Sequence, residues 1–339
     1  MLDDLRPGLA RPTVRSHASR REFCRAALSG AALAAYAPRI LAQEPGPSTF
    51  PLRVSWAPPG LASTLEVTRL SPTLAVVSGA GGNVVVAIGP DSVLLVNGGH
   101  ESRSAALLAQ VSQLAGGLPV KTLFNTDWHA EHTGSNAPLG KAGVVIVSHE
   151  FTKQYLSTEM TVEWRNATYK ACEPQARPTK TFYTKGTMPF GAEQIEYGHL
   201  GQAQTDGDIY VYFRNANVLV AGATLGVGRY PIADYNSGGW IGGLVTANKT
   251  VLDLTGPETT FVPGVGPVQP RAALQAQHDM LATMRDRMHK LFRKGMGLDE
   301  MLAAGVTKDY DAVWGSPDLF VATSFRGMWL HIRELGGVV

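Results

Sequence analysis

Short β-branched runs separated by turn residues dominate the first half of the chain. Val84 to Ile88 and Val93 to Val96 flank Gly89-Pro90-Asp91-Ser92, a turn signal. With Leu65–Val67 and Leu74–Val77 they predict an antiparallel meander. Arg103 to Leu114 carries Ala106, Leu107, Val111 and Leu114 at helical spacing. Val120–Phe124 and Val144–Val147 read as the next strands. Ile209–Phe213 and Val218–Val220 predict a hairpin around Asn215-Ala216-Asn217. A long helix opens at Pro270, a favourable first-turn residue, and ends at Gly295. Its stripe is Leu274, Leu281, Met284, Met288 and Leu291, and the methionines read as core. Pro174 to Pro178 is the one loop-rich interruption, and no repeat is found. Strands interleaved with helices fit a layered α/β domain.

The N-terminus follows a different pattern. Ser19-Arg20-Arg21-Glu22-Phe23 is a twin-arginine motif, followed by a 12-residue small and apolar run from Ala26 to Ala37. That run is too short to span a bilayer and is closed by Pro38-Arg39. Residues 1–42 are therefore read as a twin-arginine export signal with cleavage after Ala42, and residues 43–339 as a single domain. The expected location is the periplasm or outside the cell. Residues 1–18 exceed what such a leader needs, so the expected start codon lies downstream.

Composition changes the picture only through that leader. The 339 residues are 44% apolar and 17% charged, with net charge +2, which excludes a disordered or collagenous chain and a dedicated nucleic-acid binder. Seven arginines and three acids lie in residues 1–42, so the remainder carries −2. Cys24 belongs to the leader, which leaves Cys172 alone and no intrachain disulfide expected. No stretch reaches membrane-spanning length.

Candidate chemistry is concentrated after the strand ending at Phe124. Asn125-Thr126-Asp127-Trp128-His129-Ala130-Glu131-His132-Thr133-Gly134-Ser135-Asn136 places four potential metal ligands within six positions. A loop leaving a buried strand turns such side chains into one pocket while the core holds the backbone. Imidazole and carboxylate donors suit a divalent metal.

This stretch resembles the metallo-β-lactamase superfamily, whose motif H-x-H-x-D-H stands here as Asp127-Trp128-His129-Ala130-Glu131-His132. Gly79–Asn83 before Val84–Ile88 resembles the family's opening hairpin, and Ser92–Gly99 its V-L-V-D-x-G strand end. Gln204–Asp208 resembles H-T-x-G-D, Ala221-Gly222-Ala223 the G-D element, and Val262–Pro267 the P-G-H-G turn. The resemblance implies a four-layer αββα sandwich with extra C-terminal helices from about residue 270, and a two-metal hydrolytic site at one edge.

Carried over by position, the implied ligands are Asp127, His129 and Gln204 for one metal, and Glu131 and His132 for the other. Ala223 and Val265 stand where the family has a bridging aspartate and a histidine, and Asn97 stands in place of an aspartate. Neither Ala223 nor Val265 can ligate, so the dinuclear site reads as degraded. At most one divalent ion is expected, zinc or, with so many oxygen donors, manganese or iron. Glu131 is the candidate general base of such a one-metal hydrolase. The alternatives are a metal-free binding protein using the old cleft, and a zinc hydrolase with substitute ligands. Trp128, His199, Asp234 and Trp240 are candidates to line that cleft, with Tyr230 and Tyr235, and His199 is a candidate substitute ligand. His149 is read as structural. A small-molecule substrate or ligand is expected; the substrate and the oligomeric state are not legible.

Overall fold

The computed structural model describes residues 61–334; the segment read as a leader, with Cys24, lies outside them. Seven strands form one sheet in the order β1 (Leu61–Arg69), β2 (Leu74–Ala80), β3 (Val84–Ile88), β4 (Val93–Val96), β5 (Val120–Phe124), β6 (Val145–His149) and β9 (Lys180–Phe182). The first four are an antiparallel meander, with Ile88 opposite Val93, and the rest pair in parallel. Six more form a second sheet: β10 (Lys185–Phe190), β11 (Glu193–His199), β12 (Ile209–Phe213), β13 (Val218–Gly222), β14 (Thr260–Pro263) and β15 (Gln269–Pro270). β7 (Met160–Val162) and β8 (Ala167–Tyr169) make a separate two-stranded ribbon.

The period of two decides which side chains face which layer. Val85, Ala87, Leu94, Val96, Phe124 and Val147 of the first sheet meet Ile195, Ile209, Val211, Phe213, Val220 and Val262 of the second. The alternate residues Val84, Val86, Val93, Leu95 and Leu123 turn outward onto Leu107 and Val111 of helix α1 (Ser104–Leu114). Burial on both faces explains why these strands read as unbroken apolar runs rather than alternating ones. Each such side chain contributes about 1.5–3 kcal/mol.

Three short helices follow β5 and β6: α2 (Ala130–Thr133), α3 (Asn136–Lys141) and α4 (Glu150–Ser157). α5 (Ile241–Leu254), α6 (Arg271–Phe292), α7 (Leu298–Ala303), α8 (Asp311–Trp314) and α9 (Asp318–Glu334) complete the chain. Leu219 and Ala221 face Leu244 and Val251 of α5 and Leu281 and Met284 of α6, so helices cover the outer face of the second sheet. The layers are therefore α, β, β, α, with helices at the C-terminus.

Pro270 sits just before α6 and Gly295 (φ +80°) lies in the turn beyond it. Of the expected stripe Leu274, Leu281, Met284 and Met288 are buried, and Leu291 packs at its end. The sixth strand begins at Val145 rather than Val144, and Arg103 belongs to the 3₁₀ turn before α1. Strands β7 to β11 were not anticipated: several are three residues long and mix polar with apolar positions. Among the described residues no helix is long and apolar enough to cross a membrane.

The parallel pairs β4–β5 and β13–β14 bring their C-terminal ends to one edge of the sandwich. Asn97, the loop from Asn125, Ala223 and Gly264-Val265 all leave strands there. The edge is tied across the layers by Ile209 N–H donating to Thr126 O at 2.9 Å and by Asn83 Nδ2 donating to Pro263 O at 2.9 Å.

Candidate active-site cleft and its charge network

The loop after β5 is held by amides. Asn125 and Asn136 exchange side-chain hydrogen bonds at 3.0 and 2.9 Å, and Asn136 Nδ2 also donates to Ala176 O. Asn97, in the left-handed region at φ 68°, accepts from Thr126 N and Thr126 Oγ1 at 2.9 and 3.0 Å. Its carbonyl oxygen thus holds the loop as a carboxylate would. Gly82 is required by close approach, because a Cβ there would lie 2.5 Å from Glu131 O and 2.9 Å from the His132 ring.

On this frame Asp127, His129, Glu131 and His132 are all buried. Asp127 Oδ1 accepts from His129 N at 2.9 Å, and Asp127 Oδ2 lies 2.5 Å from His132 Nδ1. His129 Nε2 lies 2.9 Å from Asp234 Oδ2, while its Nδ1 lies 3.4 Å from Asp127 Oδ1. Asp234 also accepts from Trp164 Nε1 at 2.9 Å and Ser237 Oγ at 2.8 Å. Glu131 receives both terminal nitrogens of Arg165, at 3.1 and 2.7 Å. Arg165 rides on a 3₁₀ turn between β7 and β8, with its guanidinium over the Trp164 ring at 4.6 Å.

Burial opposes every charge in this group, and the partners overcome it. Burial alone would raise Asp127, but the charge and hydrogen bonds of His132 and His129 hold it well below the usual carboxylate range. Burial raises Glu131, yet Arg165 brings it down to about 2. Burial and Arg165 lower His129, while its bonds to Asp127 and Asp234 carry it up to about 9. His132 is likewise raised, Asp127 outweighing burial. Three carboxylates, Asp127, Glu131 and Asp234, thus face one guanidinium and two histidines whose charged form they favour. The carboxylates find their counter-charges within the protein.

Gln204, Ala223, Gly264 and Val265 come together with Glu131, His132, Arg165 and Arg229 around a cavity of about 90 Å³. His132 Nε2 and Gln204 Oε1 are buried there without a hydrogen-bond partner. Asp208, in the Gln204 loop, accepts from the backbone N–H groups of Gln204 and Thr205 at 2.6 and 3.0 Å. Burial and the nearby Asp127 carboxylate push it up to about 8.

Of the other expected cleft residues, all but Tyr230 lie elsewhere. Asp234 is fully buried behind His129 rather than at the cavity mouth. His199 stacks on His149 with ring centroids 3.8 Å apart, and its Nε2 donates to Asp206 O at 2.7 Å, so it is not offered to the cavity. Trp240 stacks on His331 at 3.8 Å and does not line the cavity. Trp128 faces a separate cleft of about 700 Å³ with Tyr155 and Tyr169. Tyr230 lines the small cavity, whereas Tyr235 donates to Glu163 at 3.1 Å. Arg165, Trp164 and Arg229 escaped the sequence reading. No local pattern marks them, and Arg165 stands 34 positions from Glu131.

As arranged, these residues do not fit the metal cluster the resemblance implies. Among the described residues no group of three or more His, Cys, Asp or Glu is placed to hold a metal ion. Catalytic zinc takes three protein ligands and keeps an open position. Here Glu131 is bound by Arg165 and the Asp127 oxygens serve two histidines. Ala223 and Val265 offer no donor.

Among solved structures, a metallo-beta-lactamase from Pontibacter korlensis superposes with TM-score 0.54 at 19% identity, over 65% of this chain and 99% of that one. DIM-1 metallo-beta-lactamase gives 0.52 at 15%, over 65% and 97%. TMB-1 gives 0.52 at 14%, over 65% and 98%. At these identities the likeness is one of fold. Among curated proteins none matches. The family model described as Metallo-beta-lactamase superfamily matches residues 77–274, more than half of the sequence, and the chain belongs to that superfamily.

Proposed function

We propose that this chain is a metallo-beta-lactamase-fold protein that has lost two-metal hydrolysis and uses the old cleft to bind a small molecule, after export by the twin-arginine route. The observation that carries the reading is Arg165. Its guanidinium lies on both oxygens of Glu131, so a fixed protein cation does the charge-balancing a metal would do. Adding a divalent ion requires that this pair separate and that His129 and His132 lose protons, which lowers affinity.

Elemental mass spectrometry of the chain purified without chelator or metal-affinity resin tests it. Metal near zero per chain, persisting after incubation with zinc, manganese and iron, is the expected result. Two metals per chain overturn it.

One observation favours a second reading. His132 Nε2 and Gln204 Oε1 are buried, unpartnered and line the same cavity, and buried polar atoms ordinarily have a partner. A single divalent ion would satisfy both, with solvent completing its shell and Glu131 available as general base only after release from Arg165. One metal per chain selects this reading.

A further inference from the structure

We propose that the cleft of about 700 Å³ beside Trp128 is a second binding site, which takes a flat, uncharged aromatic molecule carrying one hydrogen-bond acceptor for the Trp128 indole N–H. The site stands apart from the function proposed above and does not depend on metal content.

The cleft lies between α1, α3 and the chain from the end of α4 to Ala176. Among the described residues it shares no lining residue with the small cavity at Gln204. Trp128, Ala130 and Thr133 line the one, Glu131 and His132 the other, so a single loop serves both. Its size falls within the ~300–1,000 Å³ of small-molecule sites.

Three aromatic rings set the shape of the ligand. Trp128 meets Tyr155 with ring centroids 5.7 Å apart, and meets Tyr169 edge-on at 5.6 Å and 88°. The Tyr155 hydroxyl donates to Asp206 at 3.0 Å, and the Tyr169 hydroxyl accepts from Arg165 at 3.4 Å. Neither Asp206 nor Arg165 lines the cleft, so both hydroxyls are engaged outside it and the rings are what these tyrosines present. A flat aromatic guest extends such tilted and edge-on packing. Leu108, Leu156 and Ala176 add apolar surface.

The polar groups set the rest. Ser104 Oγ pairs with Ser135 Oγ at 2.9 Å, and Thr133 Oγ1 donates to His129 O at 3.1 Å. Trp128 is 3% exposed, and its Nε1 is the one buried side-chain polar atom on this wall without a partner among the described residues. A buried N–H ordinarily has an acceptor. The N–H is covered in this structure; the partly buried Tyr155, Tyr169 and Cys172 pack on the same cluster, and rotation of one of them to admit the acceptor is part of the proposal. An ammonium ion, which aromatic faces attract, has no acceptor to offer that N–H. The charged lining residues are exposed and balanced, Lys141 and Lys170 against Glu101 and Glu173, so they favour neither a cation nor an anion.

NMR titration of the ¹⁵N-labelled full chain tests the proposal with indanone, a flat aryl ketone, as the probe. Indane has the same rings without the acceptor, and phenyltrimethylammonium carries a positive charge. Indanone is expected to bind and to move the Trp128 indole N–H resonance, identified by its loss in Trp128→Phe. Indane is expected to bind about fivefold more weakly, as loss of one neutral hydrogen bond predicts, and the ammonium more weakly still. Trp128→Phe keeps a ring and removes the N–H, so it should bring indanone down to the level of indane and leave indane unchanged. Ala105 is an exposed residue of α1 on the cleft wall, and Ala105→Trp should block both ligands without lowering the melting temperature. That variant keeps the test open should Trp128→Phe fail to fold. Absence of indanone binding overturns the proposal. So does equal or tighter binding of indane or the ammonium, or indanone binding that survives Ala105→Trp.

Discussion

Two pairs of histidines, three of the four rings buried and His199 partly so, are driven in opposite directions. His129 and His132 are raised, His129 to about 9, and His149 and His199 are lowered, His149 to about 4. Burial pushes all four the same way, down. The first pair is surrounded by Asp127 and Asp234, whereas the second stacks ring on ring and meets backbone carbonyls, His149 Nε2 donating to Tyr183 O at 3.2 Å. The fate of a buried imidazole is therefore decided by whether a carboxylate faces it, and burial sets only the starting handicap.

The largest break in that comparison comes from the cation that balances the charged side. Arg165→Met leaves Glu131 buried and uncompensated, and is expected to destabilise the fold by about 3–5 kcal/mol in urea unfolding. Adding Glu131→Gln is expected to recover a large part of the loss. A double variant as unstable as the single one would show that Arg165 acts through packing on Trp164.

Next in size is the removal of one carboxylate. Asp234→Asn is expected to bring His129 down from about 9 and to cost about 1–3 kcal/mol, leaving His149 near 4. Histidine ring NMR titration reads both. The sign of each contribution follows from linkage. His129 is raised above its ordinary 6.5, so its stabilisation is complete below that value and lost as pH rises through about 9. His149 is depressed, so its contribution is complete above 6.5 and lost as pH falls toward 4. Asp234→Asn should therefore flatten the alkaline limb and remove from the acid limb the share that Asp234's own depressed carboxyl supplies, leaving the His149 share in place.

The smallest effect is expected at the stacked pair. The His199 charge is a cause of His149's depression secondary to burial. His199→Phe keeps a ring in the stack and should raise His149 only slightly, measured in the same titration. A rise to the ordinary histidine value would show that mutual repulsion, not burial, sets the low side.

The sheets were legible because both faces of their central strands are covered, which writes runs such as Val84–Ile88 and Val93–Val96 directly into the sequence. Helix α6 was legible from its stripe. Strands β7 to β9 were not, since three-residue strands carry too few positions to show a period, and β10 and β11 mix polar residues, glycine and proline into theirs. At the site, the contiguous run from Asp127 to His132 was legible, as were the donors missing at Ala223 and Val265. What those side chains do was not. Their partners arrive from 34 positions away at Arg165 and 105 positions away at Asp234, and no local pattern encodes that meeting. Trp240 and His199 looked like cleft residues by position and instead found ring partners in His331 and His149.

The reciprocal amide pair of Asn125 and Asn136 has a consequence for how such a loop changes over time. The two asparagines and Asn97 anchor the two ends of the loop through groups that take no part in the charge network between them. Frame and cargo are in that sense separable. A chain built this way keeps the ends of the loop in place while the residues between them are exchanged, and the exchanges it tolerates best are those in which a buried charge and its partner change together.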